Sequence, residues 1–304
     1  MKNKGENIVA SVRQRLINIS KQRGEDPNLV FIRYAIERFL YRLSRSKQSG
    51  KFILKGAMLW VVWVGKPHRP TKDLDLLGFG DASADTLRVI FDEICKVVVE
   101  PDGLTFNPDT IQITEIREDL EYPGQRIKLE SRLGNARINI QIDIGFGDSI
   151  VPAPIEINYP TWLNMPSPHI KAYPVETVVA EKLETIASKG VLNSRMKDFY
   201  DLKVLAQEIE FDGSNLSKAI KATFDRRGTR IPNDQPTAFT EEFYANPDKQ
   251  VQWQAFLRTN KLENEKLELH EVIIYMERFL MPPLSAAAND DSFTKKWPAG
   301  GPWK

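Results

Sequence analysis

Residues 138–144 read Ile-Asn-Ile-Gln-Ile-Asp-Ile, with isoleucine at every even position and a polar residue at every odd one. Only a β-strand repeats every two residues, so this segment is predicted to put one face into a core and the other against something wet. Asp143 lies on the wet face. Around this strand the chain has 304 residues, 41% hydrophobic and 27% charged. That is enough length for about two domains and enough apolar content to fold.

Upstream, Ile8 to Ser20 has helical spacing and ends at Gly24. Asp26-Pro27 then supplies a cap and a first-turn proline for a helix running to Ser46, to which Arg33, Arg38, Arg42, Arg45 and Lys47 are assigned. Short strands are expected at 51–54, 74–77, 111–116 and 127–133. Prolines at 152, 154, 160, 166, 168 and 174 mark an extended connection. Beyond it the pattern is helical, over 176–189 up to Gly190, 197–210, 214–226, 249–259 and 267–280. The expected organisation is N-terminal basic helices over 1–50 packing on a core at 51–165, a mostly helical region at 166–281, and a flexible tail at 282–304. The class is α+β with a mixed sheet.

The inventory excludes several chemistries. A single cysteine, Cys95, forms no internal disulfide, and His68, His169 and His270 are too dispersed for a Cys/His zinc site. Residues 57–64 form the longest apolar run, too short to span a bilayer, and no apolar leader stands at the start, so a cytoplasmic protein is expected. The net charge of +1 hides unlike parts. Residues 1–50 hold 11 basic against 4 acidic side chains, and 51–165 hold 12 against 17. The basic helices offer a surface to nucleic-acid phosphates, although a solvated helix face is the simpler account.

In Lys72-Asp73-Leu74-Asp75 the two carboxylates share one face of a strand. Like charges so placed disfavour joint ionisation unless a cation lies between them, and a hard divalent ion, Mg²⁺ or Mn²⁺, suits oxygen donors. Asp143, on the polar face of a second strand, would complete a three-carboxylate metal site of the two-metal kind. An isolated Asp-x-Asp is more often a solvated strand edge. Gly56 after Phe52-Ile53-Leu54-Lys55 strengthens the metal reading, because a glycine turn lets backbone N–H groups approach phosphate oxygens and Lys55 adds a counter-charge.

A helical wheel over 175–189 places Lys182 inside the apolar stripe and Glu184 on the solvent side. An unpaired lysine there is costly, so Lys182 must reach a carboxylate or a phosphate, or else snorkel to the helix edge. The same construction over 197–210 puts Asp198 inward and Asp201 at the margin, with helix capping as the competing account and Arg195 as a partner for either.

Leu54-Lys55-Gly56-Ala57 followed by Asp73-Leu74-Asp75-Leu76 resembles the polymerase-β-like nucleotidyltransferase signature. More narrowly, Arg69-Pro70-Thr71-Lys72-Asp73-Leu74-Asp75, Ile140-Gln141-Ile142-Asp143, Glu181-Lys182-Leu183-Glu184 and Lys197-Asp198-Phe199-Tyr200-Asp201-Leu202 resemble the four ordered motifs of the AbiEii/AbiGii and MenT toxin family. Arg38-Phe39-Leu40-Tyr41-Arg42-Leu43 also looks familial. The serine that broader nucleotidyltransferases place after the glycine is Ala57 here.

The resemblance implies a polymerase-β-like core and a Mg²⁺-dependent enzyme that moves a nucleotidyl group from an NTP to an acceptor hydroxyl. It further implies the toxin of a type IV toxin–antitoxin or phage abortive-infection pair, with an RNA acceptor, such as a tRNA 3′ end, and an antitoxin encoded nearby. Asp73, Asp75 and Asp143 would hold metal. Lys55, Gly56, Ala57, Arg69, Thr71, Lys182 and Asp201 would contact the nucleotide, and Asp198 would orient Lys182. The alternatives are a metal-dependent nuclease using the same acids and a non-catalytic interaction module on a degenerate fold.

Overall fold

The computed structural model describes residues 4–65, 70–116 and 124–304. The chain forms two compact units, residues 1–147 with 155–172, and residues 148–154 with 173–304.

The first unit opens with helices α1 (Lys4–Arg23) and α2 (Pro27–Arg45). Asp26 caps α2 by accepting a hydrogen bond from the Asn28 N–H at 2.8 Å, with Pro27 in the first turn where its missing N–H costs nothing. There follow β1 (Phe52–Lys55), α3 (Trp60–Trp63), β2 (Asp73–Gly78), α4 (Ala84–Cys95), β3 (Leu104–Ile116), β4 (Gly124–Leu133), β5 (Ala136–Phe146), β6 (Ile155–Asn158) and β7 (His169–Ala172). These strands make one seven-stranded sheet in the order β3-β4-β5-β2-β1-β7-β6. β2 runs antiparallel to β1 and parallel to β5, which makes the sheet mixed. Leaving β2, the chain passes through α4 and the β3–β4 hairpin before β5 returns beside β2. The two acid-bearing strands are thereby neighbours.

The alternation at 138–144 is realised as expected, since Ile138, Ile140, Ile142 and Ile144 are all buried. On that core side, Phe39 of α2 stacks on Phe91 of α4 at 5.6 Å, meets Phe106 of β3 edge-on at 5.6 Å, and Phe91 meets Phe52 of β1 at 5.9 Å. Each such ring contributes about 2 kcal/mol by leaving water.

Arg33, Arg38 and Arg42 of α2 are not part of the surface that the charge count suggested. Arg38 and Arg42 are 1% and 5% exposed, and both bind Asp102, itself 2% exposed, just before β3. Arg33 is buried against Glu25. Burying a guanidinium requires a counter-charge, and the acids that supply it here lie up to about sixty residues away, where helical periodicity cannot show them. Among the described residues, the exposed basic groups of this region are Arg13, Arg15, Lys21, Arg23, Arg45 and Lys47.

The second unit consists of α5 (Val175–Lys189), α6 (Met196–Glu208), β8 (Phe211–Asp212), α7 (Gly213–Arg226), α8 (Glu241–Tyr244), α9 (Pro247–Thr259), α10 (Leu269–Asn289) and β9 (Lys296–Trp297). Residues 282–304, expected to be a flexible tail, are packed. α10 continues through Pro282 and Pro283 to Asn289, burying Leu284, Ala286 and Ala287. Beyond it β9 pairs with β8, the Trp297 indole donates to the Ala206 carbonyl at 2.7 Å, and Trp303 stacks on Phe279 at 5.9 Å. Aromatic burial supplies the anchoring that a composition rich in Ala, Pro and Gly conceals. Among the described residues, no helix is long and apolar enough to cross a membrane.

Candidate active site

The strand register of the first unit lays one row of polar residues across five strands. Lys55 of β1 is opposite Asp75 of β2, Asp75 is opposite Asp143 of β5, Asp143 is opposite Arg126 of β4, and Arg126 is opposite Thr114 of β3. In-register neighbours present their side chains on the same sheet face. One turn of the pleat away, Asp73, Gln141, Lys128 and Gln112 form a parallel row. Asp73, Asp75 and Asp143, predicted as a unit, therefore share one face of adjacent strands, with Lys55 in line beside them.

Gly56 is fixed by its contact with Asp75. Its φ of +75° is in the left-handed region, and a Cβ there would lie 2.6 Å from Asp75 Cγ and closer still to Oδ2. The missing side chain is the space that the Asp75 carboxylate fills. A glycine at this turn is thus required twice, by backbone conformation and by the acid above it.

Asp143 is gripped by Arg126, whose Nε donates to Oδ1 at 2.8 Å and whose Nη2 donates to Oδ2 at 2.7 Å. Sequence reasoning missed Arg126. The signal was present, because the two-residue turn at Gly134-Asn135 sets the β4–β5 register and places Arg126 opposite Asp143. Among the described residues no three Asp, Glu, His or Cys side chains converge as a ready-made metal cage. The donor chemistry nevertheless fits a hard divalent cation, since all three acids offer oxygen alone and the Gly56 cradle holds Asp75 in place.

Ala57 and Thr71, expected at the nucleotide, line a small cavity of about 30 Å³ together with Arg33, Tyr159 and Trp162. Among the described residues, the Nε of Arg33 is buried there without a hydrogen-bond partner. Behind it, burial pushes the Glu37 carboxyl up to about 7, although the Trp162 N–H at 2.8 Å and the Arg38 guanidinium favour its charged form. Arg69 and His68 lie outside the described residues.

In the second unit, Lys182 of α5 donates to Asp198 Oδ1 at 2.5 Å and to Asp201 Oδ2 at 2.8 Å, both on α6. Arg195 Nε lies 3.2 Å from Asp198 Oδ2. The lysine inside an apolar stripe has reached carboxylates, as its position demanded. Burial alone would lower its pKa, but the two acids outweigh that and raise it. Asp201, placed at the stripe's margin by the wheel, is as deeply buried as Asp198. Glu184 corrects the wheel more sharply. It is buried, not solvated, with Arg227 Nη1 at 2.5 Å and Thr229 Oγ1 at 2.6 Å, because α7 packs on that side of α5 and brings its own cation.

Two solved structures from Helicobacter pylori are similar in fold outline. One is a candidate nucleotidyltransferase, 15% identical, aligned over 83% of this chain and 89% of its own with a TM-score of 0.46. The other is JHP933, 14% identical over 83% and 87% with a TM-score of 0.45. No curated protein matches the chain. The family model for the nucleotidyl transferase AbiEii toxin of type IV toxin–antitoxin systems matches residues 38–282, spanning both acid-bearing strands and the α5–α6 motifs. With four-fifths of its length inside that match, the chain belongs to the AbiEii nucleotidyltransferase toxin family.

Proposed function

We propose that this enzyme transfers a nucleotidyl group from an NTP to the 3′ hydroxyl of an RNA acceptor, such as a tRNA end, with Mg²⁺ or Mn²⁺ held by Asp73, Asp75 and Asp143. The observation that carries the reading is the row Lys55–Asp75–Asp143, with Asp73 two residues from Asp75 and the Gly56 turn directly beneath it. The divalent ion, when bound, supplies charge neutralisation at the α-phosphate. Everything else falls to the chain. Lys55 and the N–H groups of the Gly56-Ala57 turn bind the triphosphate, with Arg69 and Thr71 assigned to the nucleotide as well. Asp143 accepts the proton of the attacking hydroxyl once Arg126 yields it. That hydroxyl forms the new bond to the α-phosphorus as the bond to pyrophosphate breaks, so one pyrophosphate leaves per nucleotide joined. In the second unit, Lys182 is proposed as a phosphate-binding cation, oriented by Asp198 and Asp201.

In the cell, we propose a cytoplasmic toxin that modifies RNA ends, restrained by a neighbouring antitoxin, with phage-triggered abortive infection as its setting. The test of the activity is incubation of the protein with each α-labelled NTP and total RNA in Mg²⁺, beside Asp73→Ala. Label should enter RNA with the wild type and fall at least a thousandfold with the variant. Transfer that survives the substitution would remove the proposed site.

A further inference from the structure

Beside Asp73 the polar face of the first unit's sheet continues into a cleft of about 520 Å³. It arises from strand lengths. β5 begins at Ala136, whereas its pairing with β2 begins at Asp73 opposite Gln141, so the first turns of β5 run past the end of β2 together with β4 and β3. The wall is built from Lys128, Gln112, Gln141 and Asn139, with Lys72 and Asp73 at the mouth. Lys128 stands between Gln112 and Gln141 in register, and all three belong to the row that contains Asp73. The acid on the same wall, Glu130, already has an oxygen on each of Arg132 Nε at 2.8 Å and Arg137 Nε at 2.9 Å. The cleft thus presents ammonium and carboxamide groups, which suit a phosphate and the donor–acceptor edge of a base. Its volume is that of a small-molecule site and accommodates about one nucleotide.

We infer that this cleft binds the terminal nucleotide of a single-stranded RNA acceptor, with Lys128 on its phosphate and Gln141, Gln112 and Asn139 against its base. The inference rests on the nucleotidyl-transfer reading and deepens it. The strand order supplies the argument for acceptor over donor. Lys55 at the end of β1 and the glycine turn after it, which suit a triphosphate, lie on one side of the β2–β5 carboxylates, and the cleft lies over β5, β4 and β3 on the other. In-line displacement needs the attacking hydroxyl and the departing pyrophosphate on opposite sides of the phosphorus. A donor seated at β1 therefore leaves the β5–β3 side to the acceptor.

An equilibrium measurement separates this claim from the claim of catalysis. A 5′-fluorescein mixed-sequence single-stranded RNA ten-mer is titrated with wild-type protein, Lys128→Glu, Lys128→Arg and Gln141→Leu, and binding is read by anisotropy. NTP binding is measured calorimetrically on the same proteins with Ca²⁺ present. Lys128 is exposed, and an unchanged thermal midpoint checks that its variants fold. We expect Lys128→Glu to weaken RNA binding at least tenfold, Lys128→Arg to restore it, Gln141→Leu to flatten the preference among A, C, G and U homopolymer ten-mers, and NTP binding to move less than twofold. RNA binding that is absent in the wild type, or unmoved by Lys128→Glu, overturns the inference, and a selective loss of NTP binding assigns the cleft to the donor base. Lys128-dependent RNA binding in a protein that transfers no nucleotide would keep the cleft and refute the transfer reading.

Discussion

Asp143 meets Arg126 through both carboxylate oxygens, at 2.8 and 2.7 Å. A guanidinium held this way neutralises one of the three acids before any metal arrives, so the arginine and a divalent cation compete for the same oxygens. Arg126→Gln is expected to tighten Mn²⁺ binding, measured by calorimetry, about tenfold, or about 1.4 kcal/mol. Weaker Mn²⁺ binding in that variant would show that Arg126 positions Asp143 for the metal instead of opposing it.

Gly56 has no room for a methyl group. Gly56→Ala places a Cβ into the Asp75 carboxylate and puts a side chain at a φ of +75°. The backbone strain alone costs about 1–2 kcal/mol. The expected result is a modest fall in thermal midpoint with nucleotidyl transfer reduced at least a hundredfold, because Asp75 is displaced while the core of the sheet is untouched. A variant with unchanged transfer would separate the Gly56–Asp75 contact from catalysis.

Asp102 is shared by Arg38 and Arg42, and it also accepts the Leu104 N–H at 3.0 Å. Removing it leaves two buried guanidinium groups without that counter-charge. Asp102→Ala should cost about 3–5 kcal/mol in urea unfolding. A loss below about 1 kcal/mol would mean that the arginines find water or other acids.

Glu37 gives the first unit a pH signature. Its carboxyl, with an ordinary value of 4.5, titrates at about 7 in the folded chain because of burial. Between those values the unfolded chain has already shed the proton while the folded chain keeps it, so stability falls as pH rises through the window and levels off above about 7. The contribution is on the order of 3 kcal/mol. Urea midpoints of the wild type against Glu37→Gln from pH 4.5 to 7.5 should converge toward the acid end and diverge above it. Parallel curves would contradict the assignment.

How much of this was legible in sequence depends on how far each cause lies along the chain. The alternation at 138–144 and the Asp26-Pro27 cap are local, and both appear as read. Lys182 was legible because a misplaced charge demands a partner, and α6, which bears Asp198 and Asp201, follows within twenty residues. Glu184 was misread because Arg227 and Thr229, which bury it, belong to a helix end more than forty residues on. Arg38 and Arg42 of α2 were misread for the same reason, their acid being some sixty residues away. The C-terminal stretch misled through composition. Its prolines and glycines signal a loop, while Trp297 and Trp303, only two residues in the stretch, fix it onto α6 and α10.

The central claim is that Asp73, Asp75 and Asp143 serve transfer of a nucleotide onto RNA. It is tested most directly by the length of the RNA itself. A 5′-labelled RNA pool is incubated with protein, Mg²⁺ and NTPs and resolved on a denaturing gel beside Asp75→Asn, with pyrophosphate release followed in the same reactions. The account predicts discrete lengthening that requires an NTP, one pyrophosphate per added nucleotide, and loss of both with Asp75→Asn. RNA shortened in the absence of NTP, or lengthened equally by the variant, would contradict it.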